Sequence, residues 1–502
     1  MSHKNVIDPL NRIEGDMAVE ITVGKDNIIS DAKCLGFVYR GLENIFVGKK
    51  PFDAMRLSQR SCGVCPVSHG TAGAKAIESI NDFKIPKNAQ LIRDIVLGTN
   101  IVVSHGTHFY FMWGPDLVNK EYKKSKLYKE ILEKFDPLKS NHIKSVLKEV
   151  RIPLHSVVAL FGGKFPHPMH AVPGGVTCVP KQVEINKALT LLMDVKEFIE
   201  KNILNGVSID DWDNVKSVKD VLKLMKNDNF SNSDVGLFIR AGQELGLDKL
   251  GEGSPNNFLS YGFGELDDGL FFNSGYMENR KYHELKPDHI SEDTYKSYYE
   301  TEKEWRHPSD GKTNPLPHKE GAYTWIKAAR YFGKVVETGP LARQIVNKDP
   351  LILDLVDNFG VNTFTRTLAR LHEILKLLPQ IIKWVEEIDL AKPFHYPFSP
   401  LMKGKGQGLV EAPRGALGHW INVENDTVKK YQIITPTTWN ASPQDSNGQK
   451  GAIEQALIGV KVRGKDSMLE AGHIVRSFDP CISCSIHAIG NKSKPLFIDH
   501  TC

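Results

Sequence analysis

Seven cysteines are few for 502 residues, odd in number and thinly spread, which excludes a secreted disulfide scaffold and favours a reducing compartment during synthesis. A large excess of either charge is also missing. The formal net charge is +4 with 25% charged residues, so nothing in the balance marks a nucleic-acid partner. No apolar run reaches the length of a membrane span. Residues Met1 to Asp16 hold neither an apolar h-region nor twin arginines, so the sequence predicts no secretory signal of its own. Internal repeats and low-complexity tracts are missing too. What remains is 41% hydrophobic and long enough for one large globule or two to three subdomains.

From Met17 to Cys34 apolar and polar residues alternate around Gly24-Lys25-Asp26-Asn27, which predicts an antiparallel hairpin. After Pro86 the stretch from Lys87 to Trp113 predicts a helix of roughly seven turns, apolar enough to be buried on most sides. Val183 to Ile203 and Thr363 to Ile388 are further long amphipathic patterns, with Pro379 expected to kink the second. Between them, residues 250 to 320 are rich in Gly, Asn, Asp, Pro and Tyr and read as surface loops with short strands. Strand-like runs on either side of Glu424-Asn425-Asp426 predict a second β element. The expected class is α+β, predominantly α-helical: a long-helix bundle core with small antiparallel β elements near both ends.

Four of the cysteines form two C-x-x-C pairs at opposite ends of the chain, Cys62 with Cys65 and Cys481 with Cys484. Each pair has a histidine downstream, His69 and His487. Two such units supply a four-thiolate set suited to zinc, iron-sulfur clusters or other soft-ligand metals. A zinc ribbon keeps its pairs about 15 to 20 residues apart, far closer than these. Four unrelated buried thiols are the other bland reading. The symmetry of the pairs, flanked by Arg60 and Gly63 on one side and Asp479 and Pro480 on the other, argues against it.

In these surroundings the pairs resemble the two signature motifs of the nickel-iron hydrogenase large subunit. DPLNRIEGD from Asp8, YRGLE from Tyr39, PHPMHAVPGGVT ending at Thr177, AYTWIKAARY from Ala322, ETGPLAR ending at Arg343 and APRGALGHW from Ala412 extend the likeness over almost the whole chain. The resemblance implies that all four sulfurs hold nickel, Cys62 and Cys481 terminally, while Cys65 and Cys484 also bridge to an iron carrying carbon monoxide and cyanide. The implied reaction is heterolytic cleavage of dihydrogen, with Cys481 as the nearest base and Glu14 relaying the proton outward. His69 matches a histidine that hydrogen-bonds a bridging sulfur. Arg414 matches an arginine beside the open metal position, where it acts as a fixed positive wall because a guanidinium does not lose its proton. Asp116 and Asp479 match carboxylates that hold that arginine, and Thr437 matches a hydroxyl that can donate to a cyanide. Glu43 and His487 match ligands of a magnesium-type ion, with iron as the alternative.

By the same resemblance, residues 1–487 form the large-subunit domain and residues 488–502 a propeptide removed by a maturation endopeptidase between His487 and Ala488, after nickel-insertion proteins have acted. Hydrogen-sensing relatives generally lack such a tail, so a catalytic enzyme is expected over a sensor; hydrogen uptake is the expected direction. A quinone-site subunit of a respiratory complex would lack the cysteine pairs, and a zinc-stabilised scaffold would hold neither nickel nor iron. Beyond the four site cysteines only Cys34, Cys178 and Cys502 remain, too few for a four-cysteine relay cluster. An iron-sulfur small subunit is therefore expected as partner, with a membrane cytochrome reached through it. The compartment is cytoplasmic, or membrane-associated or periplasmic by co-export with that subunit. Asp16, Ala329 and Ser442-Pro443-Gln444 depart from the common pattern without touching an implied ligand.

Overall fold

The alternation after Met17 folds as a three-stranded antiparallel sheet: β1 (His3–Ile7), which the pattern did not signal, then β2 (Met17–Val23) and β3 (Ile29–Gly36). Its inward residues Val19, Ile21, Val23 and Cys34 are fully buried. The computed structural model describes residues 3–164, 168–301, 305–399, 402–464 and 466–485, with Cys484 and Ser485 by backbone alone.

The first cysteine pair precedes α1 (Pro66–Glu78). The apolar run after Pro86 forms α2 (Lys87–Thr107), and His108–Trp113 after it winds as a π-helix; the expected α-helix thus stops at Thr107. Helix α3 (Gln182–Phe198) likewise passes into a π-turn at Ile199–Ile203. A short helix, α4 (Pro340–Val346), precedes α5 (Thr363–Glu386), which runs through Pro379 without ending. Leu368, Leu371, Leu375 and Leu378 of α5 join Ile92, Ile95 and Val96 of α2 and Leu192 of α3 in the largest apolar core.

The region read as loops with short strands differs. It contains two ten-residue strands, β4 (Asn257–Leu266) and β5 (Gly269–Glu278), with β6 (Lys281–His283) at their edge. The aromatic residues Tyr261, Phe263, Phe272 and Tyr276 are buried, and that burial outweighs the interspersed glycines that read as turns. Strands β7 (Ile290–Asp293) and β8 (Ala328–Tyr331) form a further pair. The expected β element near the other end is the sheet of β9 (Lys403–Ala412), β10 (Gly415–Glu424) and β11 (Thr427–Ile434), packed on α1.

After it come α6 (Pro436–Asn440), α7 (Ala452–Leu457) and α8 (Leu469–Ser477). Helices α7 and α8 share a core with β2 and β3, so both ends of the sequence fold as one unit. Ile29 N–H donates to Val460 O at 2.9 Å and Gly459 N–H to Ile29 O at 2.8 Å across that seam.

Candidate metal centre

Cys62 leaves the 3-10 turn Gln59–Ser61 in extended conformation, and Cys65 caps the N-terminus of α1, where Pro66 takes the first helical position. The amides of Val64 and Cys65 both donate to Cys62 Sγ at 3.3 Å. Such donors, with the positive end of a helix beside them, favour a thiolate over a thiol. Cys481 follows α8 and opens the short helix Ile482–Ser485. Its Sγ lies 3.4 Å from that of Cys62, and the sulfurs of Cys62, Cys65 and Cys481 all lie within 4.8 Å of one another, buried. Cys484 is described by its backbone in that helix; its side chain, His487, Ala488 and residues 489–502 lie outside the described part.

Glu14 is brought to the same place by a parallel bridge with Cys481, sealed where Ile482 N–H donates to Glu14 O at 2.7 Å. Gly15 makes this approach feasible: at φ +84° a Cβ there would lie 2.8 Å from Ser483 N. Burial and then the Cys62 thiolate push the Glu14 carboxyl above its usual range, against the pull of Arg414.

Arg414 sits at the tip of the β9–β10 turn, since Ala412 pairs with Gly415 across it. Its Nη2 lies 3.0 Å from Asp479 Oδ1, both side chains buried. The approach is oblique, and Arg414 Nε and Nη1 and both Asp479 oxygens have no hydrogen-bond partner among the described residues. Burial disfavours the guanidinium charge, but Asp479 and the thiolates of Cys481, Cys65 and Cys62 overcome it. Asp479 itself adopts a left-handed φ of 52°, a conformation aspartate tolerates better than most residues.

The remaining residues are placed as follows. Thr437 Oγ1 accepts from Cys481 N–H at 2.8 Å, which fixes the backbone of that cysteine and leaves the hydroxyl hydrogen to donate elsewhere. His69 stands one helical turn after Cys65, and its Nδ1 lies 3.0 Å from His419 Nε2. Its ring is fully buried, and burial with nearby Arg40 holds its pKa down at about 4 despite the Cys62 thiolate. Asp116 is not brought to Arg414. It receives Arg476 Nη1 at 3.0 and 2.9 Å and a short contact from Arg12. Glu43 accepts from Ile433 N–H at 2.9 Å, from Thr313 Oγ1, and from Lys327 Nζ at 3.3 Å. Lys327, inside the AYTWIKAARY stretch, was not singled out by sequence reasoning; nor were Arg12 of RIEG, which ties that motif to Asp116, and Arg343 of ETGPLAR. Arg343 grips Glu373 and Glu411 and donates to the carbonyls of Ala412 and Pro413 at 2.9 and 3.1 Å, bracing the turn that presents Arg414. The only signal for these residues was membership of the quoted motifs.

A pocket of buried cysteine sulfurs beside an arginine with unpartnered N–H groups has the donor set of a soft-metal centre, built where the two ends of an α+β chain meet. The comparisons identify which one. Residues 40–132 and 140–487 match the family model described as nickel-dependent hydrogenase, and the chain belongs to that family. It is 30% identical to the periplasmic [NiFeSe] hydrogenase large subunit of Desulfomicrobium baculatum, over 96% of this chain and 94% of that one. It is 29% identical to the quinone-reactive Ni/Fe-hydrogenase large chain of Wolinella succinogenes, over 99% and 98%. The fold is shared with the Ni-Fe-Se hydrogenase of D. vulgaris Hildenborough in the reduced state, at TM-score 0.83 and 28% identity, covering 97% of this chain and all of that one. Selenium is named for the Desulfomicrobium baculatum and D. vulgaris proteins; this chain has cysteine at all four positions of its two pairs.

Proposed function

We propose that this hydrogenase large subunit holds a nickel-iron centre on Cys62, Cys65, Cys481 and Cys484, cleaves dihydrogen in the uptake direction, and passes the electrons to an iron-sulfur small subunit. The observation that carries this reading is the buried cluster of Cys62, Cys65 and Cys481 sulfurs, whose donor set suits nickel and low-valent iron. The unpartnered N–H groups of Arg414 fit a centre bearing acceptor ligands such as cyanide. When bound, such a centre supplies the electron-accepting site at which dihydrogen is split heterolytically.

The chain's own residues do the rest. Cys481 Sγ takes the proton, and Glu14, joined to Cys481 through their bridged backbones, carries it outward. A carboxyl raised toward working pH can both receive and release a proton, as one fixed at its ordinary value cannot. Arg414, charged throughout, balances the thiolates, and Thr437 holds the Cys481 amide. Glu43 with His487 is read as the site of a magnesium-type ion, which must share the carboxylate with the Lys327 ammonium. Residues 488–502 are read as a propeptide removed after His487; Cys481 already lies against Cys62 in the full-length chain, so the tail does not hold that cysteine away. The protein works in the cytoplasm, or across a membrane by co-export with the small subunit; among the described residues no helix is long and apolar enough to cross one. The test is metal analysis, infrared spectroscopy and mass spectrometry of the complex with its small subunit. Nickel and iron in equal amounts, bands from carbon monoxide and cyanide, and a chain ending at His487 are expected. Zinc alone would sink the metal reading, and active enzyme still ending at Cys502 would sink the processing step.

A further inference from the structure

Glu14 meets Cys481 from a loop: residues 8–16 join β1 to β2 and belong to no helix or strand. One backbone bridge to Cys481 would leave such a loop free to slide, so its register needs other anchors. Downstream of Glu14 the anchor is Gly15, whose bare Cα lets Ser483 N come close. Upstream it is Arg12. This residue holds a left-handed φ of 57°, uncommon outside glycine, asparagine and aspartate, and its guanidinium donates to Met112 O at 2.8 Å and to Asp116 Oδ1. Asp116 also accepts from Arg476 Nη1 at 3.0 and 2.9 Å. Arg476 in turn reaches back to the loop, donating from Nε to Asn11 O at 3.0 Å and from Nη2 to Asn11 Oδ1 at 2.7 Å. It sits in the last turn of α8, on the segment that leads through Asp479 to Cys481. The clamp therefore joins both sides of the Glu14–Cys481 contact, with Asn11 and Arg12 on one and Arg476 on the other. Asp116 and Arg476 are buried, where charge-assisted hydrogen bonds are strongest. His473 adds no third cation: its Nδ1 is 4.0 Å from Asp116 Oδ2, and burial pushes its pKa down to about 4.

We propose that Asp116, Arg12 and Arg476 are positioning residues for the proton step, setting the register of the Glu14 loop against Cys481. This rests on the reading of Cys481 and Glu14 as the first two stations of the proton. As the S–H bond of Cys481 breaks, an O–H bond forms on the Glu14 carboxylate, and such a transfer needs heavy atoms within about 2.6–3.2 Å, or one water between them. A displacement of about 1 Å that arises away from the chemistry can cost about 10²-fold in rate. The side chains of the clamp bond to Asn11, Met112 and one another, so its loss acts on the loop that carries Glu14 and leaves the metal ligands in place.

In the complete enzyme with its small subunit, Asp116→Asn and Arg12→Ala should keep nickel, iron and the wild-type infrared bands. Turnover should fall by up to about 10²-fold, and its slowing in heavy water should grow because proton transfer becomes limiting. Combined with Glu14→Gln, either change should add no further loss, since residues that serve one step are not additive. In the metal-free full chain, the Ile482 amide, which donates to Glu14 O at 2.7 Å, should exchange with deuterium faster in both variants than in wild type. Wild-type exchange at Ile482, or the same fractional loss of turnover with and without Glu14→Gln, overturns the proposal. Shifted infrared bands overturn it as well, because they would put the action of Asp116 on the metal ligands. Arg12 lies at the rim of the clamp, its side chain 29% exposed, so Arg12→Ala decides the matter should Asp116→Asn not fold. A wild type lacking nickel and iron would remove the hydrogenase reading, while exchange at Ile482 still reports whether the clamp holds the loop.

Discussion

Glu14 is the residue whose surroundings differ most from what its sequence neighbours alone provide. In RIEG it is an ordinary carboxylate; against Cys481 it is half-buried, with burial first and the Cys62 thiolate second raising its pKa. Glu14→Gln keeps shape and hydrogen-bonding capacity but cannot carry a proton. Loss of a positioned acid–base group typically costs about 10²-fold or more. We therefore expect the variant to bind nickel and iron as the wild type does, with unchanged infrared bands, while its exchange of D2 with protons of water falls by about that factor. Exchange within threefold of wild type would mean that the proton leaves by another route. Asp116 teaches the complementary lesson. The resemblance marked it as a carboxylate that holds an arginine, but its partners are Arg12 and Arg476, 104 and 360 positions away. Which cation folds beside an acid depends on three-dimensional packing that no local pattern records.

Among the elements, the β9–β10 hairpin bears most directly on the site, because its two-residue turn carries Arg414. Gly415 closes that turn at φ +121°, with a Cβ position 2.4 Å from Gly339 N and 2.6 Å from Thr338 Oγ1. The first is backbone at the residue that caps α4 and cannot yield without moving that helix, whose Arg343 donates to the carbonyls of Ala412 and Pro413. Gly415→Ala should therefore cost about 1–3 kcal/mol or more through backbone strain and overlap, lower the urea midpoint, and cut hydrogen oxidation at least tenfold by displacing Arg414. A variant with unaltered midpoint and rate would show that the turn tolerates the shift. The same element shows what sequence could and could not disclose. Alternation marked β10 and β11, and C-x-x-C spacing marked the cysteines, because both signals are local. The ten-residue strands β4 and β5 were hidden by their own glycines, since the burial of Tyr261, Phe263, Phe272 and Tyr276 that stabilises them is a tertiary effect.

At the scale of the whole molecule, the site exists only while the two ends of the chain stay joined, and the seam between them contains a buried acid. Glu454 on α7 accepts from Cys34 N–H on β3 at 3.0 Å and from the Tyr323 hydroxyl at 2.8 Å. Its Oε2 has no partner among the described residues. Burial lifts its pKa from 4.5 up to about 7, against the opposing charge of Lys450. The folded protein thus binds this proton more tightly than the unfolded chain does. Stability from this group is complete below pH 4.5, declines as pH rises toward about 7, and is level above that, with a slope of at most about 1.4 kcal/mol per pH unit. Glu454→Gln has no proton to lose. It should melt higher than the wild type at pH 8, and the gap should close as pH falls to 4.5. Other titrating groups are common to both proteins and cancel in that difference, so a gap independent of pH would exclude Glu454 as its source. Because α7, α8 and Ile482 share one core with β2 and β3, charging Glu454 loosens the joint that holds Cys481 against Cys62. Thiol accessibility of the metal-free chain should consequently rise over the same pH interval in the wild type and stay flat in the variant.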